Sequence, residues 1–94
     1  LEVELLDPAE VDAAIAGSHW ERDGSELVKI HWSHDFAAAL SYVNAVGALA
    51  EEMGHHPDIQ ISWNKVTLRL STHSAGGITA ADLELVRRID ALPE

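Results

Sequence analysis

Ile59-Gln60-Ile61-Ser62-Trp63-Asn64-Lys65-Val66-Thr67-Leu68-Arg69-Leu70 alternates apolar and polar residues on both sides of Asn64-Lys65, the period-two pattern of two half-buried strands joined by a tight turn. With Asn64-Lys65 as a two-residue loop, Trp63 pairs with Val66, Ile61 with Leu68 and Ile59 with Leu70 on one apolar face. Gln60 with Arg69 and Ser62 with Thr67 then form a polar face. A sheet with one apolar side needs a covering layer, and the rest of the chain supplies helices for it.

Upstream, the run from Ser33, read as an N-cap, to Met53 carries Phe36, Ala39, Leu40, Val43, Val46, Ala50 and Met53 on one stripe, so a long helix of about 30 Å is expected there. Gly54 suits a left-handed helix end and Pro57 stops the helix from resuming. Before it, Trp20 to Trp32 reads as a hairpin around Asp23-Gly24, with Val28, Ile30 and Trp32 alternating with Lys29 and His31. Asp7, Pro8 and Glu10 open a short first helix that ends by Gly17, and Thr79-Ala80-Ala81-Asp82 is a capping-box pattern opening a last one, with Leu85, Val86, Ile89 and Leu92 inward. The expected fold is therefore α+β: a single small domain over residues 1–94, a four-stranded antiparallel sheet with helices packed on one face, in the order α-β-β-α-β-β-α.

Extending the register past the strand ends sets His56 opposite His73 and His55 opposite Ser74, so three of the six histidines meet at one end of one hairpin. Directly opposed residues have Cβ atoms about 4.5–5.5 Å apart, close enough for two imidazoles to address one small ligand. Glu51 joins from the last turn of the long helix, and Asp82 from the helix that follows His73. Asp82 also has a sufficient structural reason to exist as a cap. His19, His31 and His34 show no partner pattern. Phe36, Leu40 and Val43 read as core, and Trp20 and Trp32 as packing residues, with Trp20 also placed to stack on a flat ligand.

Composition narrows the function. Six Lys and Arg against sixteen Asp and Glu leave a formal net charge of −10, which repels phosphate backbones and anionic lipid, so neither nucleic acid nor a membrane is the expected partner. The absence of cysteine removes disulfides, thiolate nucleophiles and Cys-ligated metals together and agrees with a cytoplasmic home. No apolar run approaches the ~20 residues of a bilayer span, and the acidic N-terminus with Pro8 does not read as a signal peptide.

Glu51, His55-His56-Pro57, Trp63, His73 and Asp82, at these spacings, resemble the pterin-4a-carbinolamine dehydratase family, also called 4a-hydroxytetrahydrobiopterin dehydratases. Asn64-Lys65-Val66, Leu70-Ser71-Thr72-His73 and Gly76-Gly77-Ile78-Thr79 are similar to family sequence too. Gly54 stands where Asn or Asp is common, and Ile59 replaces an aromatic that many members carry. The resemblance implies a hydro-lyase that removes water from 4a-hydroxytetrahydropterin in tetrahydrobiopterin recycling, without metal or other cofactor. Catalysis would rest on His55, His56 and His73, with His55 and His73 as the acid and base candidates and His56 orienting the ring. Glu51 would orient an imidazole or hold a pterin nitrogen. Ser71 and Thr72 would offer backbone groups to the heterocycle, Asp82 would support His73 and its loop, and Trp20 completes the substrate-binding set. A homodimer or homotetramer is also implied. Two alternatives from other classes are a non-catalytic protein-interaction module of the same fold and a three-histidine metal site. The adjacency of His55 and His56 disfavours the metal site, since consecutive side chains tend to diverge.

Overall fold

The computed structural model describes residues 4–93. Its elements are α1 (Pro8–Ile15), β1 (Trp20–Asp23), β2 (Glu26–Trp32), α2 (Phe36–Met53), β3 (Asp58–Ser62), β4 (Lys65–Leu70) and α3 (Ala80–Asp90). The strands form one antiparallel sheet in the order β1-β2-β4-β3, so the two hairpins meet through their second strands. Element order and class are those expected from the sequence.

Local chemistry explains most boundaries. Asp7 caps α1 and Pro8 begins it; at that position the missing N–H has no helical partner to lose. Thr79 and Asp82 open α3 with a complete capping box. The start of α2 differs from expectation: Asp35, not Ser33, is the cap, its Oδ1 accepting from the Ala38 N–H at 2.8 Å. Ser33 is engaged elsewhere. Its N–H donates to the Asn64 carbonyl at 2.8 Å, and its own carbonyl accepts from the Asn64 side-chain amide at 3.0 Å.

Those two bonds also explain a correction to the second hairpin. The turn is Trp63-Asn64 rather than Asn64-Lys65, so Ser62 pairs with Lys65, Ile61 with Val66 and Ile59 with Leu68. Held by Ser33, Asn64 stays in the turn, and Lys65 is released to pair with Trp32 of β2 as well as with Ser62. Trp63 takes a φ of 53°, unusual for a bulky residue. Each opposed pair moves by two residues, an even number, so the apolar and polar faces survive.

On the sheet's helix side, Leu27, Val66, Leu68 and Leu70 are buried against Val11 and Ile15 of α1, Ala39 and Val46 of α2, and Leu85, Val86 and Ile89 of α3. Full burial of each Leu or Ile contributes about 1.5–3 kcal/mol. Three expected core residues lie elsewhere: Phe36 and Leu40 are 47% and 41% exposed, and Trp32 is 66% exposed. Trp32 shares the sheet's outer face with Ile30 and Val28, because pairing of Leu27 with Leu70 and Lys29 with Leu68 turns the other set of β2 residues inward. Lys29 is thus buried, its ammonium 3.0 Å from Asp90 Oδ1.

On α3, Glu84 accepts from Arg87 and Arg88 at 2.5–2.9 Å, and these bonds, Arg87's first, hold its carboxyl down to about 2 from the ordinary 4.5. A carboxyl more acidic folded than unfolded stabilises the fold above the unfolded value, and that contribution is lost as pH falls toward the folded one. NMR titration should therefore find Glu84 still ionised at about pH 3, and Arg87→Gln should move its midpoint back toward the ordinary range. Among the described residues, no helix is long and apolar enough to cross a membrane.

Candidate active site

Gly54 ends α2 with a φ of 62° and donates to the Ala50 and Glu51 carbonyls, while the His55 N–H donates to the Ala50 carbonyl at 3.1 Å. A left-handed residue at this place reverses the chain sharply, and Gly54 adopts it without a Cβ penalty. His55, His56 and Pro57 form the short connection to β3, so both imidazoles leave the end of α2 beside its last turn. The β3–β4 ladder ends at Asp58 and Arg69, so none of the three histidines lies in it. The expected direct opposition of His56 and His73 is replaced by a different assembly.

Its centre is Asp82, which is 0% exposed. Oδ1 lies 2.5 Å from His55 Nε2; Oδ2 accepts from the Thr79 N–H at 2.9 Å and from the Thr72 hydroxyl at 2.8 Å. Burying a carboxylate is costly unless donors replace water, and here three do. One side chain therefore ties the start of α3, the segment after β4 and the α2–β3 connection together. The expected partner of Asp82 was His73; the structure gives it His55.

His56 Nε2 is hydrogen-bonded to Glu51 Oε2, one helical turn back, and both side chains are exposed. Glu51 thus orients an imidazole, and that imidazole is His56. His73 follows Thr72 directly and opens the turn that Gly76 closes with a φ of 77°. Thr72 is bridged to Gly77, its N–H donating to the Gly77 carbonyl at 2.7 Å. The His73 ring is exposed and makes no hydrogen bond among the described residues. Ser71 is half-buried just before Thr72.

Trp20 is elsewhere. It is 3% exposed, and its indole N–H donates to Asp90 Oδ1 at 2.9 Å, two turns along α3 from Asp82. Its ring is a core element with no open face for a ligand. Thr79 is the site residue that the sequence concealed: its capping pattern was legible, but not its hydroxyl, 2.7 Å from that of Thr72. His31, expected to lack a partner, stacks on Tyr42 with ring centroids 3.7 Å apart.

Two surface concavities of about 580 and 590 Å³ are not lined by His55, His56 or His73: one, along the first half of α2, is bordered by His31 and His34, and the other lies between α1 and α3. Among the described residues, no three His, Asp or Glu side chains converge as a metal-holding group. What the corner can do chemically is exchange protons. It carries one imidazole braced by a buried carboxylate, one braced by an exposed carboxylate, and a third with a free ring, and neutral imidazole both accepts and donates near neutral pH.

A protein of Roseiflexus castenholzii, provisionally named a pterin-4-alpha-carbinolamine dehydratase, is 45% identical over 89 residues, covering 94% of this chain and 96% of its own. One of Nocardia farcinica with the same provisional name is 44% identical over 90 residues, covering 95% of each. Among solved structures, a transcriptional coactivator/pterin dehydratase from Brucella melitensis superposes with a TM-score of 0.88 at 25% identity, over 94% of this chain and 97% of that one. A pterin dehydratase-like protein identified as a RuBisCO assembly factor in the alpha-carboxysome gives 0.66 at 27% identity, over 80% and 89%. The sequence profile of one family spans residues 4–92, from the segment before α1 to the end of the described core, and by that match the chain belongs to the pterin 4 alpha carbinolamine dehydratase family.

Proposed function

We propose that this protein dehydrates a 4a-hydroxytetrahydropterin to the quinonoid dihydropterin and water, in cytoplasmic tetrahydrobiopterin recycling. The observation that carries the reading is His55 braced by the fully buried Asp82, in the corner where His56 and the His73 turn also lie. In the reaction the C4a–O bond breaks, an acid protonates the departing hydroxyl, a base takes the N5 proton, and the N5–C4a double bond forms. His55 and His73 supply the acid and base. His56, steadied by Glu51, orients the ring, and backbone groups of Ser71 and Thr72 meet its polar edge. No step calls for a metal or redox cofactor. Positioned proton transfer of this kind contributes about 10²–10⁴-fold.

The test is an assay on chemically generated 4a-hydroxytetrahydropterin. Acceleration over spontaneous dehydration supports the reading, and its absence in folded protein overturns it in favour of an interaction module.

Self-association is part of the proposal. From Phe36 to Ala50 α2 carries no charged residue although the chain has a net charge of −10, and Phe36 and Leu40 are left exposed on it. An uncharged, partly apolar helix face with small residues suits close packing against a second copy. Light scattering after size exclusion should give a dimer or tetramer mass, and Leu40→Glu should shift it to the 10.2 kDa monomer. A monomeric wild type would defeat this part.

A further inference from the structure

We propose that the hydroxyls of Thr79 and Thr72 form a one-way hydrogen-bond relay onto Asp82, which sets His55 with its proton on Nε2 and its Nδ1 free to meet a ligand. The inference rests on the reading of His55 as a proton-exchanging group. It makes both threonines positioning residues.

The direction follows from counting protons. Each hydroxyl has one, and an ionised carboxylate only accepts. The Thr72 proton is directed to Asp82 Oδ2 at 2.8 Å. The 2.7 Å contact between the Thr72 and Thr79 hydroxyls must then be made with the Thr79 proton. Thr79 Oγ1 in turn accepts from the Ala81 N–H at 3.3 Å, so the dipoles run from Ala81 through Thr79 and Thr72 to Asp82. Oδ2 also accepts from the Thr79 N–H, which leaves Oδ1 for His55 Nε2. Because that oxygen accepts, a neutral His55 carries its proton on Nε2.

Burial gives the relay its force. Thr72 is 9% exposed, Thr79 1% and Asp82 0%, so little water competes and aligned bonds polarise one another. Helix capping does not account for all of this. The box needs Thr79 and Asp82 alone, whereas Thr72 lies seven residues upstream, caps no helix, and still directs its hydroxyl at the same carboxylate. Without that bond the carboxylate is held at Oδ2 only by the Thr79 N–H and can rotate about its χ2, a broad torsion.

The experiment records long-range ¹H–¹⁵N correlations of the His55 ring, and turnover, in wild type, Thr72→Val and Thr72→Ser. Wild type should show a slowly exchanging Nε2–H. Thr72→Val should exchange that proton at least about tenfold faster and lower kcat about tenfold with KM within about twofold, since positioning rather than binding is lost. Thr72→Ser should restore both. A neutral wild-type His55 protonated on Nδ1 overturns the relay, and so does a folded Thr72→Val with unchanged exchange and kcat. If Thr72→Val does not fold, the wild-type spectrum decides: Nε2–H supports the relay and Nδ1–H defeats it. Absence of turnover in wild type would sink the dehydratase reading, while the ring correlations and exchange rates still judge the relay.

Discussion

His73→Ala should fold and melt like the wild type while losing about 10²–10⁴-fold in dehydratase turnover. The ring is exposed, makes no hydrogen bond among the described residues and sits in a turn, so its removal should change stability by no more than about 0.5 kcal/mol. His55→Ala makes the contrast. It withdraws a donor from a carboxylate with no solvent contact, which should cost about 1–3 kcal/mol of stability in addition to activity. His73 is therefore the cleaner substitution. Circular dichroism melts beside the assay separate the cases, and a folded His73→Ala with undiminished turnover would remove His73 from the acid–base pair.

The largest expected loss of stability lies at the far end of α3. Asp90 Oδ1 accepts from both the Lys29 ammonium at 3.0 Å and the Trp20 indole N–H at 2.9 Å, with the ammonium 5.9 Å from the Trp20 ring centroid. Removing one partner of a buried ion pair costs more than the pair itself contributes, because the other charge stays desolvated. Asp90 is one-third exposed, so water reaches part of the gap, and about 2–3 kcal/mol is expected for Asp90→Ala. For a chain of this size that lowers Tm by roughly 10–20 °C. Asp90→Asn keeps an acceptor without the charge and should cost less. Combining Lys29→Met with Asp90→Leu should recover more than half of the loss, as an apolar pair replaces the buried charges. Simple addition of the two single effects would show that the coupling is absent.

The devices that were legible in the sequence are the local ones. Asp7-Pro8, Gly54 and the Thr79–Asp82 box each decide a helix end within a few residues, so nothing distant was needed to read them. The misread turn is the opposite case: Asn64 is fixed by Ser33, 31 residues away, and no property of Asn-Lys reveals it. Periodicity showed that Phe36 and Leu40 share a stripe, but not whether this chain or another one covers it. Alternation set Lys29 apart from its apolar neighbours Val28 and Ile30 without showing that it turns inward, because its counter-charge, Asp90, arrives only when α3 docks. The site histidines were legible as a spacing. Their partners were not, since Asp82 reaches His55 only once α3, the post-β4 segment and the end of α2 are packed together.

The sheet order has a kinetic corollary. Each hairpin closes over a two-residue turn, whereas the β2–β4 seam joins residues 33 to 43 positions apart, from Trp32 with Lys65 to Leu27 with Leu70. Distant pairing carries the greater loop-closure entropy and slows folding. The two ribbons can zip early in microseconds, and His55 and Thr72 flank the same one, but the carboxylate that joins them, Asp82, is on α3, so reactivity waits for the last helix to dock.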